Sequence, residues 1–301
     1  MVLRSLMFVP GSSPKMITRA ATLPADATVF DLEDAVAYPE KAAARLLVRD
    51  ALRPTRAGGS SVFVRINALA TGLTEADLDA IVCPELDGVL MPKADTPDEV
   101  ALLDGMLSRL EQERGMTPGS VQVIPLIETA MGLVNAYEIA GASKRNVAVG
   151  FGAGDFMRDL SLNASFMTAD QSELLYTRSR IVVCARAAGI QAIDTVYFGL
   201  LKDLDGLEKE ARAALRLGFK GKALIHPSQI DIVNRVFSPS EEDVRYARAL
   251  VAAFAEVEKQ GLGAVTFEGR MVDVMSRIQA QELLDFATIV AERDKRKAGR
   301  C

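Results

Sequence analysis

The chain has 301 residues, 49% hydrophobic and 25% charged, with a net charge of −5. That length and balance exclude a disordered chain and allow one large core or two domains. The acidic balance argues against a general nucleic-acid binder, although Arg178, Arg180 and Arg186 make a basic cluster suited to an anionic small molecule.

Apolar strand-like runs recur along the chain at Leu6 to Pro10, Ala27 to Leu32, Ser61 to Ile66, Gly88 to Pro92, Val121 to Ile127, Val147 to Phe151, Ala192 to Phe198 and Lys222 to Ile225. Between them, helical composition and spacing predict helices over Lys15 to Ala21, Glu40 to Leu52, Glu75 to Val82, Pro97 to Arg114, Met131 to Ala140, Gln171 to Ala188 and Leu204 to Leu217, with Ser228 to Val236 closing the series. Eight β-then-α units in about 235 residues is the scale of a (β/α)₈ TIM barrel. A doubly wound open sheet has the same alternation, but Pro10-Gly11-Ser12-Ser13-Pro14 is not a G-x-G-x-x-G turn, so the barrel is favoured. The expected domains are a catalytic barrel over residues 1–236 and a C-terminal extension over 237–301. In the extension, Ser238-Pro239-Ser240-Glu241-Glu242 opens a helix from Ser240 to Lys259 that Gly261-Leu262-Gly263 ends. A short hairpin over Ala264 to Asp273 follows, then a last helix from about Met275 to Arg293 and a basic tail, Arg293 to Arg300, expected to fray.

Cys83, Cys184 and Cys301 are too few and too scattered for a disulfide framework or a zinc site, which predicts packing roles for the first two. No apolar run reaches membrane-spanning length, and Met1-Val2-Leu3-Arg4-Ser5 leads into a strand without a signal-peptide core, so the expected location is the cytoplasm.

In a barrel the C-terminal ends of all strands open on one mouth. Here those ends read Pro10-Gly11-Ser12, Asp31-Leu32-Glu33-Asp34, Arg65-Ile66-Asn67, Pro92-Lys93, Glu128-Thr129, Gly152-Ala153-Gly154-Asp155 and His226-Pro227, a polar and charged ring. Glu128 and Asp155 follow consecutive strands. Each alone can be read as a helix cap; together they suit a hard cation such as Mg²⁺ with positions open to substrate oxygens. Arg65 can bind a substrate carboxylate or carbonyl, and can equally form an ion pair with Asp31 or Glu33. Lys93 and Asp34 have bland readings as an ion-pair partner and a turn cap. Glycines at 150, 152 and 154 leave room beside Asp155 for substrate oxygens to approach backbone N–H groups. The single histidine, His226, rules out a multi-histidine metal site, and no G-x-S-x-G elbow accompanies it, so it is read as structural or substrate-lining.

Taken in order, Ser5-Leu6-Met7-Phe8-Val9-Pro10-Gly11, Phe30-Asp31-Leu32-Glu33-Asp34-Ala35-Val36, Val64-Arg65-Ile66-Asn67, Met91-Pro92-Lys93, Ile127-Glu128-Thr129, Gly152-Ala153-Gly154-Asp155, Ile225-His226-Pro227 and Gly269-Arg270-Met271-Val272-Asp273 resemble the citrate lyase beta subunit and the citramalyl-CoA and malyl-CoA lyases. The resemblance runs from Arg4 to about Ala280 and implies the barrel, a Mg²⁺ on Glu128 and Asp155, and a CoA thioester as substrate. It implies that Arg65 contacts the substrate with Glu33 and Asp34 as further catalytic residues, that Lys93, Gly152 and His226 bind substrate, and that Lys15 and Arg19 meet the CoA phosphates. The same two residues also read as a solvated helix face. It further implies a homotrimer or hexamer in which the extension covers a neighbour's site and presents Asp273 as an acid/base group. Many members carry a glutamate before the metal-binding aspartate, where this chain has Gly154.

The implied reaction is reversible cleavage of a β-hydroxyacyl-CoA of the citryl, citramalyl or malyl type into acetyl-CoA and a 2-oxo acid such as oxaloacetate. The alternatives are a thioesterase or malate-synthase-like condensing enzyme on the same scaffold, and a non-catalytic CoA-binding subunit. Partner subunits of a citrate lyase complex are implied only for the complex-type proteins, which Gly189 to Tyr197 resembles.

Overall fold

The computed structural model describes residues 1–162, 168, 170–259 and 263–298. Cys301, Gly261-Leu262 of the expected helix stop and Gly299-Arg300 of the basic tail lie outside the described residues. The chain divides into two compact units, essentially Leu3–Phe237 and Ser238–Cys301.

In the first unit, strands β1 (Ser5–Pro10), β2 (Ala27–Asp31), β3 (Ser61–Arg65), β4 (Gly88–Met91), β5 (Gln122–Ile127), β6 (Ala148–Phe151), β7 (Gln191–Asp194) and β8 (Gly221–Leu224) close into a barrel in sequence order. Every neighbouring pair is parallel, β8 returning to β1. The helices between them are α1 (Pro14–Ala20), α2 (Lys41–Ala57), α3 (Thr74–Ile81), α4 (Pro97–Glu113), α5 (Ala130–Val134), α6 (Ala136–Gly141), α7 (Ala153–Asp159), α8 (Leu175–Ala187) and α9 (Leu204–Leu217), and α10 (Ile230–Val236) follows β8. Continuous burial of β2, β4, β6 and β8 reflects the two faces of a parallel sheet, one turned to the barrel interior and one to the helices. Leu6, Val29, Phe63, Leu90, Ile124 and Ile193 fill the interior, while residues such as Phe30, Val64, Val89, Val123 and Leu224 pack under the helices.

Four elements of the barrel unit differ from their expected bounds. The second helix runs past Leu52 to Ala57 despite Pro54, because its buried face continues at helical spacing through Ala44, Val48, Ala51, Leu52 and Thr55. The helix expected over Met131 to Ala140 breaks at Asn135 into α5 and α6. The seventh strand stops at Asp194 rather than Phe198, since Tyr197 turns away to donate its hydroxyl to Asp203 at 2.6 Å. Helix α7 was not foreseen, because glycines 152 and 154 are poor helix formers. Ala153, Phe156 and Met157 anchor it by burial.

The second unit holds α11 (Glu241–Lys259), a hairpin of β9 (Ala264–Phe267) and β10 (Arg270–Asp273), and α12 (Val274–Ala298). Glu268 and Gly269, with φ of 47° and 77°, make the two-residue left-handed turn that matches strand twist. Ala247, Leu250, Val272 and Ala280 form its small core, with Tyr246 edge-on to Phe267 at 5.5 Å. The tail expected to fray from Arg293 is helical through Ala298, in keeping with a run that lacks glycine and proline until Gly299.

Candidate active site

A cavity of about 550 Å³ opens at the C-terminal ends of the barrel strands. Leu6, Phe8 and Pro10 of β1 all line it, as do Ile124 and Leu126 of β5 and, just past its end, Glu128. Alternate residues on one strand share a face, so the cavity descends along β1 through four residue steps, roughly 13 Å. Its upper wall is polar, formed by Asp31, Asp34, Arg65, Glu128 and Asp155, with Asp194 and Thr195 lining it at the end of β7; Leu6, Phe8, Leu90, Ile124, Leu126 and Ile193 make an apolar depth.

The polar wall is built by strand register. Asp31 and Arg65 are direct partners at the ends of β2 and β3, and the guanidinium grips Asp31 in a fork, Nε to Oδ1 at 2.7 Å and Nη2 to Oδ2 at 2.6 Å. Its Nη1 reaches Glu33 Oε2 at 3.0 Å, and its plane lies 5.4 Å from the Phe8 ring. Asp31 also accepts the N–H groups of Glu33 and Ala35, which curl the loop after β2 over the strand end. Burial works against the Arg65 charge, and the bonds to Asp31 with the charges of Glu33 and Glu128 outweigh it, holding its pKa above the ordinary value. Both readings of Arg65 are therefore compatible: it is ion-paired and it lines the cavity.

Lys93 sits just after β4 in the left-handed region, φ 50°. Its Nζ bridges Glu33 at 2.5 Å and Asp155 at 3.4 Å, while its N–H donates to Glu128 Oε2 at 2.9 Å. Burial alone would lower its pKa; the Glu33 hydrogen bond, with Glu128 and Asp155, raises it instead. Arg158, a largely exposed residue on α7, adds an ion pair to Asp155 at 2.8 Å. Lys41 donates to the carbonyls of Leu32 and Glu33 at 2.7 and 2.9 Å, and burial lowers its pKa.

Neither Glu128 nor Asp155 is a helix cap. Thr129 caps α5, its hydroxyl accepting from Gly132 N–H at 2.9 Å, and Gly152 stands at the N-cap of α7 with Asp155 in the first turn. Glu128 is only 3% exposed, and burial, then the charge of Glu33, push its carboxyl up to about 8. Burial likewise raises Glu33. A Cβ at Gly152 would overlap the Glu128 carboxylate, so glycine is what gives that side chain its place. A buried acid whose ionisation is opposed by its surroundings, on the same cavity as a second acid, is an oxygen donor set that gains from a divalent ion. Among the described residues no group of three or more His, Cys, Asp or Glu is arranged to hold a metal. Two carboxylates with the other positions left to water and substrate is the arrangement Mg²⁺ commonly takes, so the residues fit that ion.

Other expected site residues lie elsewhere. Lys15 and Arg19 are exposed on α1, and His226 is exposed beyond β8, none of them on the cavity. His226 is an N-cap: its Nδ1 accepts from Ser228 N–H at 3.2 Å, and the neighbouring Ile225 lines the cavity in its place. Asp273 ends β10 just before α12 in the second unit, where its Oδ1 accepts from Ser276 N–H at 2.9 Å, a bond that holds its carboxyl below the ordinary range. Two members of the Arg178, Arg180 and Arg186 cluster are engaged by the protein itself. Arg178 pairs with Asp194 at 2.9 Å, and Arg180 donates to the last carbonyls of α5, Leu133 and Val134.

Sequence reading missed the surroundings of the seventh strand end. Asp194, 0% exposed, binds both Arg178 and Lys222, the latter at 2.8 Å, and Lys222 also reaches Glu210 at 2.5 Å. The network fixes the strand end beside Thr195, whose hydroxyl accepts the N–H of Ala153 at 3.2 Å and so joins β7 to α7. Asp194→Ala is expected to destabilise by about 3 kcal/mol, because it strips two buried cations of their acid. Urea denaturation measures that loss.

No helix among the described residues is long and apolar enough to cross a membrane, and Cys83 and Cys184 are free thiols. Residues 4–227 match the family HpcH/HpaI aldolase/citrate lyase. The chain is 39% identical to citrate lyase subunit beta of Leuconostoc mesenteroides subsp. cremoris, over 94% of this chain and 93% of that one. It is 36% identical to the mitochondrial citramalyl-CoA lyase of Rattus norvegicus, over 96% and 87%. It resembles a crystal structure of Mycobacterium tuberculosis CitE in complex with magnesium, acetoacetate and coenzyme A, with a TM-score of 0.72 and 33% identity over 94% of this chain and 97% of that one. A barrel with this acid set, matched along nearly its whole length, belongs to the HpcH/HpaI aldolase/citrate lyase family.

Proposed function

We propose that this protein is a Mg²⁺-dependent carbon–carbon lyase that cleaves a β-hydroxyacyl-CoA into acetyl-CoA and a 2-oxo acid, and joins them in reverse. The observation that carries the reading is the pair Glu128 and Asp155, both free of capping duty on one wall of a cavity that Arg65 also lines. Support comes from the relatives, which are a citrate lyase subunit and a citramalyl-CoA lyase, and from the neighbour crystallised with magnesium and coenzyme A.

Glu128 and Asp155 would hold the ion, which supplies a Lewis acid for the carboxylate and keto oxygens of the 2-oxo acid. The protein's part is orientation and charge. Lys93 holds the Glu128 carboxylate through its backbone N–H and bridges Glu33 to Asp155 through its ammonium, so the acids stay spread. Arg65, locked by Asp31, offers a fixed positive group where the thioester enolate gains charge. Asp273, in a C-terminal segment proposed to cover the site of a neighbouring subunit in a trimer or hexamer, exchanges a proton with the acetyl carbon. Lys15 and Arg19 are proposed to meet the CoA phosphates outside the cavity.

The test is to incubate the protein and Mg²⁺ with citryl-CoA, citramalyl-CoA and malyl-CoA and to follow acetyl-CoA and each 2-oxo acid. Equal amounts of the two products are expected; free CoA with an intact hydroxy acid would instead mark a thioesterase. Gly152→Ala is expected to weaken Mg²⁺ about 10- to 100-fold by displacing Glu128, read by titration calorimetry. Asp273→Asn is expected to slow solvent-proton exchange at the acetyl methyl of acetyl-CoA about 10²-fold. Its Mg²⁺ affinity should match that of the wild type.

A further inference from the structure

We infer that the cavity selects acyl chains whose 2-oxo acid half carries one carboxylate and an alkyl substituent, and rejects those with a second carboxylate. This rests on the lyase reading above and goes further by choosing among its substrates.

Charge is the first argument. Asp31, Glu33, Asp34, Glu128 and Asp155 give the mouth five carboxylates. Arg65, Lys93, Arg158 and Lys41 supply four cations, so the protein's own groups leave one negative charge. The adjoining network is neutral in itself, Asp194 and Glu210 against Arg178 and Lys222. Adding Mg²⁺ leaves the groups of one chain with one positive charge, which one substrate carboxylate cancels; Asp273, proposed to arrive from a neighbouring chain, adds only negative charge. A second substrate carboxylate has no counterpart, and each of the four cations is already bonded to a protein acceptor: Arg65 to Asp31 and Glu33, Lys93 to Glu33 and Asp155, Arg158 to Asp155, and Lys41 to two carbonyls.

The depth of the cavity is the second argument. CoA is large and must remain on the solvent side, and the carboxylate and keto oxygen of the 2-oxo acid belong at the acids of the wall. The remaining substituent on the keto carbon is left the recess, whose walls are Leu6, Phe8, Leu90, Ile124, Leu126 and Ile193. Two small residues keep it open: Gly150, where a Cβ would press on the Leu126 side chain, and Ala223. A methyl or ethyl group gains by entering such a recess. A carboxylate there loses its hydration against those apolar walls.

The experiment compares kcat/KM for citramalyl-CoA, its ethyl homologue and citryl-CoA, using the full chain with Mg²⁺. Both alkyl substrates are expected to exceed citryl-CoA by about tenfold or more. Citryl-CoA cleaved as well or better would overturn this inference and leave the lyase reading intact; no cleavage of any thioester would overturn both. A binding readout accompanies it: with Mg²⁺, pyruvate and 2-oxobutyrate should raise the melting temperature at concentrations about tenfold below those oxaloacetate requires. The reverse order would contradict the selection. Ala223→Leu should lower the ethyl-to-methyl ratio of kcat/KM about tenfold, and an unchanged ratio would show that the substituent does not enter the recess.

Discussion

Glu128→Gln is expected to cut Mg²⁺-dependent turnover by at least about 10²-fold, since a metal ligand is worth no less than the groups that support one. The fold should survive. The amide oxygen can still accept the Lys93 N–H, and a neutral side chain suits this buried position better than a carboxylate whose pKa is pushed up to about 8. The sign of the pH effect follows. In the metal-free wild type, the folded state holds this proton more tightly than the unfolded chain does. That contribution to stability is fully present below the ordinary glutamate value and is lost as pH rises toward about 8. Thermal melts of metal-free protein at pH 5 and pH 8 should show a smaller decline in the variant, and the Mg²⁺-induced rise in melting temperature should disappear. A variant that melts early at both pH values would point to a structural role for Glu128 instead.

Arg65→Met carries the second large effect, on stability as well as on rate. It leaves Asp31 buried without its cation and Glu33 with Lys93 alone, at a cost of about 3 to 5 kcal/mol. It also removes the positive group fixed at the cavity wall, which should lower kcat by roughly 10²- to 10³-fold in whatever protein remains folded. Arg65→Lys separates the two roles. Its ammonium restores the charge balance and more than half the stability, measured by chemical denaturation. It cannot reproduce the fork to Asp31, so turnover should stay at least about tenfold down. If Arg65→Lys recovers full activity, the oriented guanidinium is not needed by the substrate.

The barrel was legible because its strands are short apolar runs with abrupt polar exits, a pattern that few other folds repeat so regularly. The same exits placed Asp31, Glu33, Arg65, Lys93, Glu128 and Asp155 around one mouth, and the structure brings all six together. Competition for local roles was harder to read. Glu128 and Thr129 are adjacent and either could cap α5; the hydroxyl takes the cap, and the carboxylate reaches back to Lys93. His226 shows the opposite outcome, a residue suited to chemistry that is occupied as a cap. Lys222, which opens the eighth strand run, and Arg178, read as part of a basic cluster suited to an anion, are both buried against Asp194, a pairing across 28 and 16 residues that no local pattern signals. Helix α7 was hidden in part by Gly152, which the Glu128 carboxylate needs beside it, so the site obscured the secondary structure that carries it.

The most direct test of the account is a crystal grown with Mn²⁺ in place of Mg²⁺ and an anomalous difference map recorded from it. The expected result is a single strong peak within bonding distance, about 2.2 Å, of carboxylate oxygens from both Glu128 and Asp155, absent in Glu128→Gln. A peak elsewhere on the barrel, or none at saturating Mn²⁺, would contradict the claim that these two acids form the metal site.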